Sequence, residues 1–134
     1  MTTTLANAMA AGPVVLDGGL GTLLADHGHD LSSSLWSAQL LLDNPAAIRR
    51  AHTEYFRAGA RVAISSSYQV SYEALDAAGH DRAQVDTLLA RSVQLARDAR
   101  DEAGLHSGEA WVAASIGPYG ASSPTAASTP ATTG

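Results

Sequence analysis

Residues 43–67 read DNPAAIRRAHTEYFRAGARVAISSS, and this stretch sets the architecture. Asn44 stands where a helix N-cap is wanted, Pro45 suits the first helical position, and Gly59 follows the last turn. Between them Ile48, Ala51, His52, Tyr55 and Phe56 recur on one face at helical spacing. RVAISSS then follows as a short strand after a linker of only two or three residues. A helix running almost directly into a strand points to alternating α and β elements.

The same alternation extends both ways. Upstream, PVVL (13–16) is a short β-branched run that opens into DGGLGT (17–22), where Gly18, Gly19 and Gly21 permit close approaches that a side chain would block. LGTLLADHG (20–28) reads as a short helix ending near Gly28, while HDLSSSLWSAQLLLDN (29–44) mixes a polar loop with an apolar run and leaves its structure open. Downstream, Ser71 and Gly79 bound a short helix in SYEALDAAGH. Asp81 with Gln84 forms a capping-box pattern at the head of the longest helix, which carries the stripe Val85, Leu88, Leu89, Ser92, Ala96 and Ala99 and ends at Gly104. AWVAASIG (110–117) is a third strand, apolar as strands covered on both faces are.

Strands separated by helices imply a parallel sheet with right-handed crossovers, and such sheets collect their chemistry at the carboxyl ends of the strands. Here those ends are DGGLGT, SSSYQVS and SIGPYG, each turning from apolar to small and polar residues.

Composition narrows the function. The 134 residues are 46% hydrophobic and 16% charged, enough for one core and one domain. A net charge of -5 without a basic cluster speaks against nucleic acid or an acidic membrane as partner. Cysteine is absent, so the chain builds neither disulfides nor thiolate metal sites, which fits a cytoplasmic protein. Residues 1–12, MTTTLANAMAAG, lack the basic and apolar regions of a signal peptide and read as a flexible leader before a domain at 13–121. No run reaches the ~20 apolar residues of a membrane helix. All eight basic residues are Arg, a mark of GC-rich coding.

At the strand ends, Gly19 and Gly21 match two glycines of a dinucleotide fingerprint, but Leu24 takes the third place and the Asp17 carboxylate would repel phosphate. Asp17 suits a cationic group such as a substrate ammonium; its structural alternative, favoured by spacing alone, is an Asx-type turn capping the next helix. Trp36 either walls an apolar slot or packs in the core. Ser65, Ser66, Ser67 and Tyr68 supply hydroxyls, or simply shape a turn. His27 and His29 form the one close histidine pair, but near a helix terminus, where a favourable interaction with the dipole is commoner than metal ligation. No nucleophile, base and orienter set is present.

The segments LDGG, SLWSA, YFRAGA, SSYQ and SIGPYG, in this order and at these gaps from Val14 to Ala121, resemble the start of the homocysteine S-methyltransferases. The resemblance implies part of a (β/α)8 TIM barrel, its first three β/α units. It also implies methyl transfer from a sulfonium donor, S-methylmethionine or S-adenosylmethionine, to homocysteine, giving methionine. Asp17 would bind the homocysteine amino group, with Gly18 and Gly19 letting the substrate approach. Trp36 and Tyr68 would line the pocket, and Ser115 and Gly117 its floor. The family holds a zinc ion on three cysteines that keep the substrate sulfur as thiolate. Those ligands are missing here, so the chain as written is expected to lack turnover. A barrel of this kind takes ~250 residues, and three strands leave open sheet edges through which the chain is expected to self-associate. A non-catalytic binding or interaction module is the alternative.

Residues 122–134 are Ser, Thr, Ala and Pro without periodicity and are expected to be disordered. GC-rich codons chosen for SPTAASTPATTG, read one base earlier, spell ADGSEYPGDYG, close to the usual continuation of the family. The expectation is a frameshifted tail, which the gene's bases beyond Ala121 would test.

Overall fold

The computed structural model describes residues 3–116. In chain order its elements are α1 (Leu5–Ala11), α2 (Leu20–Asp26), α3 (Trp36–Asp43), α4 (Pro45–Arg57), β1 (Val62–Ile64), α5 (Tyr72–Ala77), α6 (Arg82–Glu102) and β2 (Trp111–Ala113). The expected tail at 122–134 lies outside the described residues.

Helices form where the local signals ask for them. Asp81 and Gln84 make both capping-box bonds, Gln84 N–H donating to Asp81 Oδ1 at 2.8 Å and Asp81 N–H to Gln84 Oε1 at 2.9 Å. Ser71 accepts from Ala74 N–H and heads α5. Pro45 opens α4 with a preset φ, and Asn44 at its N-cap makes no side-chain bond; its main-chain carbonyl instead accepts from Ala47 N–H at 3.1 Å. Gly59 and Gly104, at φ +118° and +79°, end α4 and α6 in a conformation that disfavours any side chain. The ambiguous apolar run after the serines is helix α3, which buries Ser37, Ala38 and Leu41. The leader is not loose throughout: Leu5–Ala11 is helical, with Thr4 accepting from Asn7 N–H, although none of its residues is buried.

The sheet is smaller than expected. β1 and β2 pair in parallel, with Val62, Ala63 and Ile64 opposite Trp111, Val112 and Ala113. PVVL contributes an isolated parallel bridge, Leu16 to Val62, rather than a strand. Its rungs are Val62 N–H to Val15 O at 3.3 Å and Asp17 N–H to Val62 O at 3.0 Å. The next rung of a parallel ladder would run from Ile64 N–H to the Asp17 carbonyl. Ile64 instead donates to the Asp17 side chain at 3.0 Å, and the pairing stops there. The third run is also shorter than AWVAASIG: the strand ends at Ala113, and its residues are half-buried rather than covered on both faces.

Among the described residues, one face of the sheet is covered and the other open. Phe56, Ala63, Ala96, Ala99 and Ala110 form a small-residue core between α4, α6 and the strands, and a larger cluster around Leu24, Leu41, Ile48, Leu75, Val85 and Leu88 joins α2 to α6. On the opposite face Leu16 and Ile64 stand 59% and 42% exposed. With Val62, Ala113, Leu5 and Met9 they line an apolar groove of about 640 Å³. Among the described residues no helix is long and apolar enough to cross a membrane.

His52 lies wholly inside, and neither of its ring nitrogens has a hydrogen-bond partner among the described residues. Burial pushes its pKa down to about 4 from the ordinary 6.5. The folded state therefore resists the proton that the unfolded chain accepts. This contribution to stability is whole above pH 6.5 and is lost as pH falls through about 4, amounting to about 3 kcal/mol across that window. Urea unfolding from pH 7 to pH 4 is expected to show this loss, and His52→Leu to flatten it.

Candidate functional site

Asp17, at the end of the first run, reaches the end of β1, and the residues after β1 in turn meet the end of β2. The Asp17 Oδ2 is held by the Ile64 N–H, while Oδ1 is buried and has no partner among the described residues. Burial raises the Asp17 pKa above the ordinary carboxylate value, with the Ile64 N–H and its own N–H acting in the opposite direction. The alternative role as a cap does not hold. Gly19 occupies the N-cap of α2 without a side-chain bond, and the carboxylate reaches across to β1 instead.

The glycines after Asp17 make room for this protein's own side chains. A Cβ on Gly18 would sit 2.9 Å from both Cε1 and Oη of Tyr55. That tyrosine reaches over from α4 and donates its hydroxyl to Gly19 O at 2.8 Å. Burial and the neighbouring Asp17 charge push the Tyr55 phenol pKa up, so the hydroxyl keeps its proton for this bond. A Cβ on Gly21 would lie 3.2 Å from Trp36 Cζ2. Gly19 is less constrained, its nearest neighbour being the Thr22 hydroxyl at 3.2 Å.

Trp36 in turn meets Tyr68. Their ring centroids are 5.9 Å apart at 69°, an edge-to-face pair of the kind worth about 1 kcal/mol beyond simple burial. Tyr68 stays 39% exposed, and burial of the remainder pushes its phenol pKa up. The chain thus passes from Asp17 through the glycine turn to Trp36, and from Trp36 to the end of β1.

Serine hydroxyls join β1 to β2. Ser65 and Ser67 share a hydrogen bond of 2.8 Å, Ser67 donates to Ser115 O at 2.8 Å, and Ser115 N–H donates to Ser65 Oγ at 3.0 Å. Ser115 therefore belongs to this cluster through its backbone. Ser66 Oγ is buried without a partner. Gly117 lies outside the described residues. His27 caps the end of α2, with Nε2 3.0 Å from Glu54 Oε2. Among the described residues no group of three or more His, Cys, Asp or Glu could hold a metal.

Two members of the site were not singled out from sequence. Tyr55 read as one position in an apolar helix face, and only its hydroxyl and the run of glycines hinted at a partner. Gln69 stands inside SSYQ but carried no role, because its partners lie more than thirty residues away. The arrangement offers a partly desolvated carboxylate with one unpaired oxygen, and an aromatic pair packed over Gly21 of the same glycine turn. Such a site can hold a cationic ammonium and shield an apolar arm.

The fit of Tyr55 to Gly18 predicts a coupled pair. Gly18→Ala is expected to cost roughly 1–3 kcal/mol through overpacking, measured by urea unfolding. In a Tyr55→Leu background most of that cost should vanish, whereas strict additivity of the two changes would disprove the contact.

The family model described as homocysteine S-methyltransferase matches residues 14–133, so the match crosses the tail as well as the domain. A homocysteine S-methyltransferase of Escherichia coli (strain K12) is 47% identical over 112 residues, covering 81% of this chain and 36% of that protein. One from Bacillus subtilis (strain 168) is 44% identical over 114 residues, with the same two coverages. The crystal structure of the homocysteine methyltransferase MmuM from Escherichia coli in its metallated form superimposes with a TM-score of 0.75. It is 45% identical and spans 81% of this chain and 39% of that one. The chain covers little more than a third of the length of these relatives. On the family match and these identities, the chain belongs to the homocysteine S-methyltransferase family.

Proposed function

We propose that this chain supplies the amino-acid seat of an enzyme that transfers a methyl group from S-methylmethionine or S-adenosylmethionine to homocysteine, giving methionine. In that reaction a sulfur lone pair of homocysteine forms the new S–CH3 bond as the donor's sulfonium CH3–S bond breaks. That bond's electron pair stays on the donor sulfur, and the homocysteine thiol proton is released. The observation that carries the reading is the Asp17 carboxylate, with one oxygen fixed by Ile64 N–H and the other buried without a partner among the described residues. An ammonium group satisfies that oxygen with a charge-assisted bond.

The remaining roles rest on the family resemblance. Gly19 keeps the turn beside Asp17 low enough for substrate to approach, while Gly18 leaves its space to Tyr55 rather than to substrate; Trp36 and Tyr68 wall the thiol arm, and Ser115 and Gly117 supply the floor. The parallel order of the runs and the likeness to MmuM support a (β/α)8 barrel for the whole enzyme. Zinc does not fit the residues in hand. The sequence has no cysteine, and the described residues hold no ligand cluster, so no step is assigned to a metal on this chain. These 134 residues are expected to bind without turning over, and turnover in a zinc-supplemented assay with homocysteine and S-methylmethionine would contradict that.

Asp17→Asn tests the seat. NMR titration with homocysteine should shift the Trp36 indole signal in the wild type and fail to do so in the variant, and 4-mercaptobutyrate, which lacks the ammonium, should be ignored by both. The variant should also be more stable. Because the folded-state pKa of Asp17 is raised, its ionisation costs stability once pH passes that value and costs nothing well below 3.8. Asn is therefore expected to raise Tm at pH 7 and leave it unchanged near pH 2.5. Unimpaired homocysteine binding by Asp17→Asn would sink the assignment.

The open face supports a second reading for the chain on its own. Leu16 and Ile64 stand exposed beside an apolar groove, an arrangement that favours pairing with a second copy. Sedimentation velocity should show concentration-dependent association, and a monomer at all concentrations would exclude it.

A further inference from the structure

Gln69 follows Tyr68 in the loop beyond β1, and its side chain crosses to the segment that begins α3. Oε1 accepts from both the Ser37 N–H at 3.0 Å and the Ser37 hydroxyl at 2.9 Å, while Nε2 donates to Ser34 O at 3.0 Å. Ser37 is fully buried. Its N–H belongs to the first turn of α3, where helix donors lack partners, and Leu35 at the N-cap offers no side-chain acceptor. Gln69 thus performs, from across the site, the task of a local cap.

What it ties together is specific. Trp36 directly precedes Ser37, and Tyr68 directly precedes Gln69, so each end of the clamp is bonded to the backbone that projects one ring of the aromatic pair. Trp36 is confined on its other side by the space over Gly21. Only an amide of this length meets all three partners, since a carboxylate accepts from Ser37 but repels Ser34 O, and an aliphatic side chain does neither.

We infer that Gln69 is a positioning residue of the amino-acid seat, holding Trp36 and Tyr68 edge to face against the Asp17 turn. The clamp rests on the hydrogen bonds alone; its importance to homocysteine rests on the functional reading above. It acts through the rings and touches no reacting atom.

The experiment is NMR on the full chain, comparing wild type, Gln69→Leu and Gln69→Glu. The Trp36 indole signal is assigned by its loss in Trp36→Phe. In Gln69→Leu the Ser37 N–H should exchange roughly fivefold faster or more, as loss of one hydrogen bond implies. The Trp36 to Tyr68 ring contacts should weaken, while the β1 and β2 amides stay protected. Gln69→Glu should keep Ser37 protected, lose the Ser34 bond, and weaken the ring contacts partly. If Gln69→Leu does not fold, that partial loss in Gln69→Glu carries the test. Homocysteine affinity should drop roughly three- to tenfold in each variant. Unchanged Ser37 exchange and ring contacts would overturn the clamp. Lost ring contacts with unchanged affinity would overturn its role in the seat. If the wild type binds no homocysteine, the functional reading fails, and the exchange and ring data still decide the clamp.

Discussion

A single backbone donor organises this molecule. At Ile64 the parallel ladder should continue to the carbonyl of Asp17, yet the N–H is taken by the Asp17 carboxylate. That substitution ends the pairing of the first run after one bridge and anchors one oxygen of an acid at the sheet's carboxyl edge. The other oxygen is left inside without a partner. Desolvating a carboxylate this way is unfavourable. A chain selected only for stability would close the ladder through the main chain and place a neutral residue there.

The scaffold behind that edge is built for close approach. Ala51 on α4, Ala96 and Ala99 on α6, and Ala63 on β1 are all fully buried, and side chains this small let helices lie tight against a sheet. Close packing holds α4 where Tyr55 can reach the glycine turn and where Phe56 can fill the space under the strands. Rigid elements thus carry a site made almost wholly of loop residues, the usual division of labour in α/β proteins. Three contacts then join the loops: Tyr55 to Gly19, the Ser65, Ser67 and Ser115 cluster, and Gln69 to α3. Among the described residues the opposite face of the sheet has no such covering.

Most of the helical plan was readable residue by residue. The Asp81 and Gln84 box, the Ser71 cap and the glycines ending α4 and α6 all act within a few residues of themselves, so their meaning does not wait for the fold. Reading failed where a choice depended on distant neighbours. The apolar run at Leu40–Leu42 suits helix or strand until packing against α4 and α6 selects the helix. PVVL has the side chains of a strand, but strand formation is a matter of pairing, and its ladder is cut short at Ile64.

The candidate site divides along the same line. Local pattern and resemblance singled out Asp17, the glycines, Trp36 and Tyr68 as candidates, Asp17, the glycines and Tyr68 because they follow strand-like runs and Trp36 because it stands in SLWSA. Nothing local could show that Gly18 is glycine on account of a tyrosine in α4, that Asp17 faces β1 rather than its own helix, or that Gln69 caps a helix 32 residues earlier. Propensity, caps and period are short-range quantities and can be read along a chain. Which donor meets which acceptor across the sheet edge is a long-range quantity, and it exists only once the strands have been brought side by side.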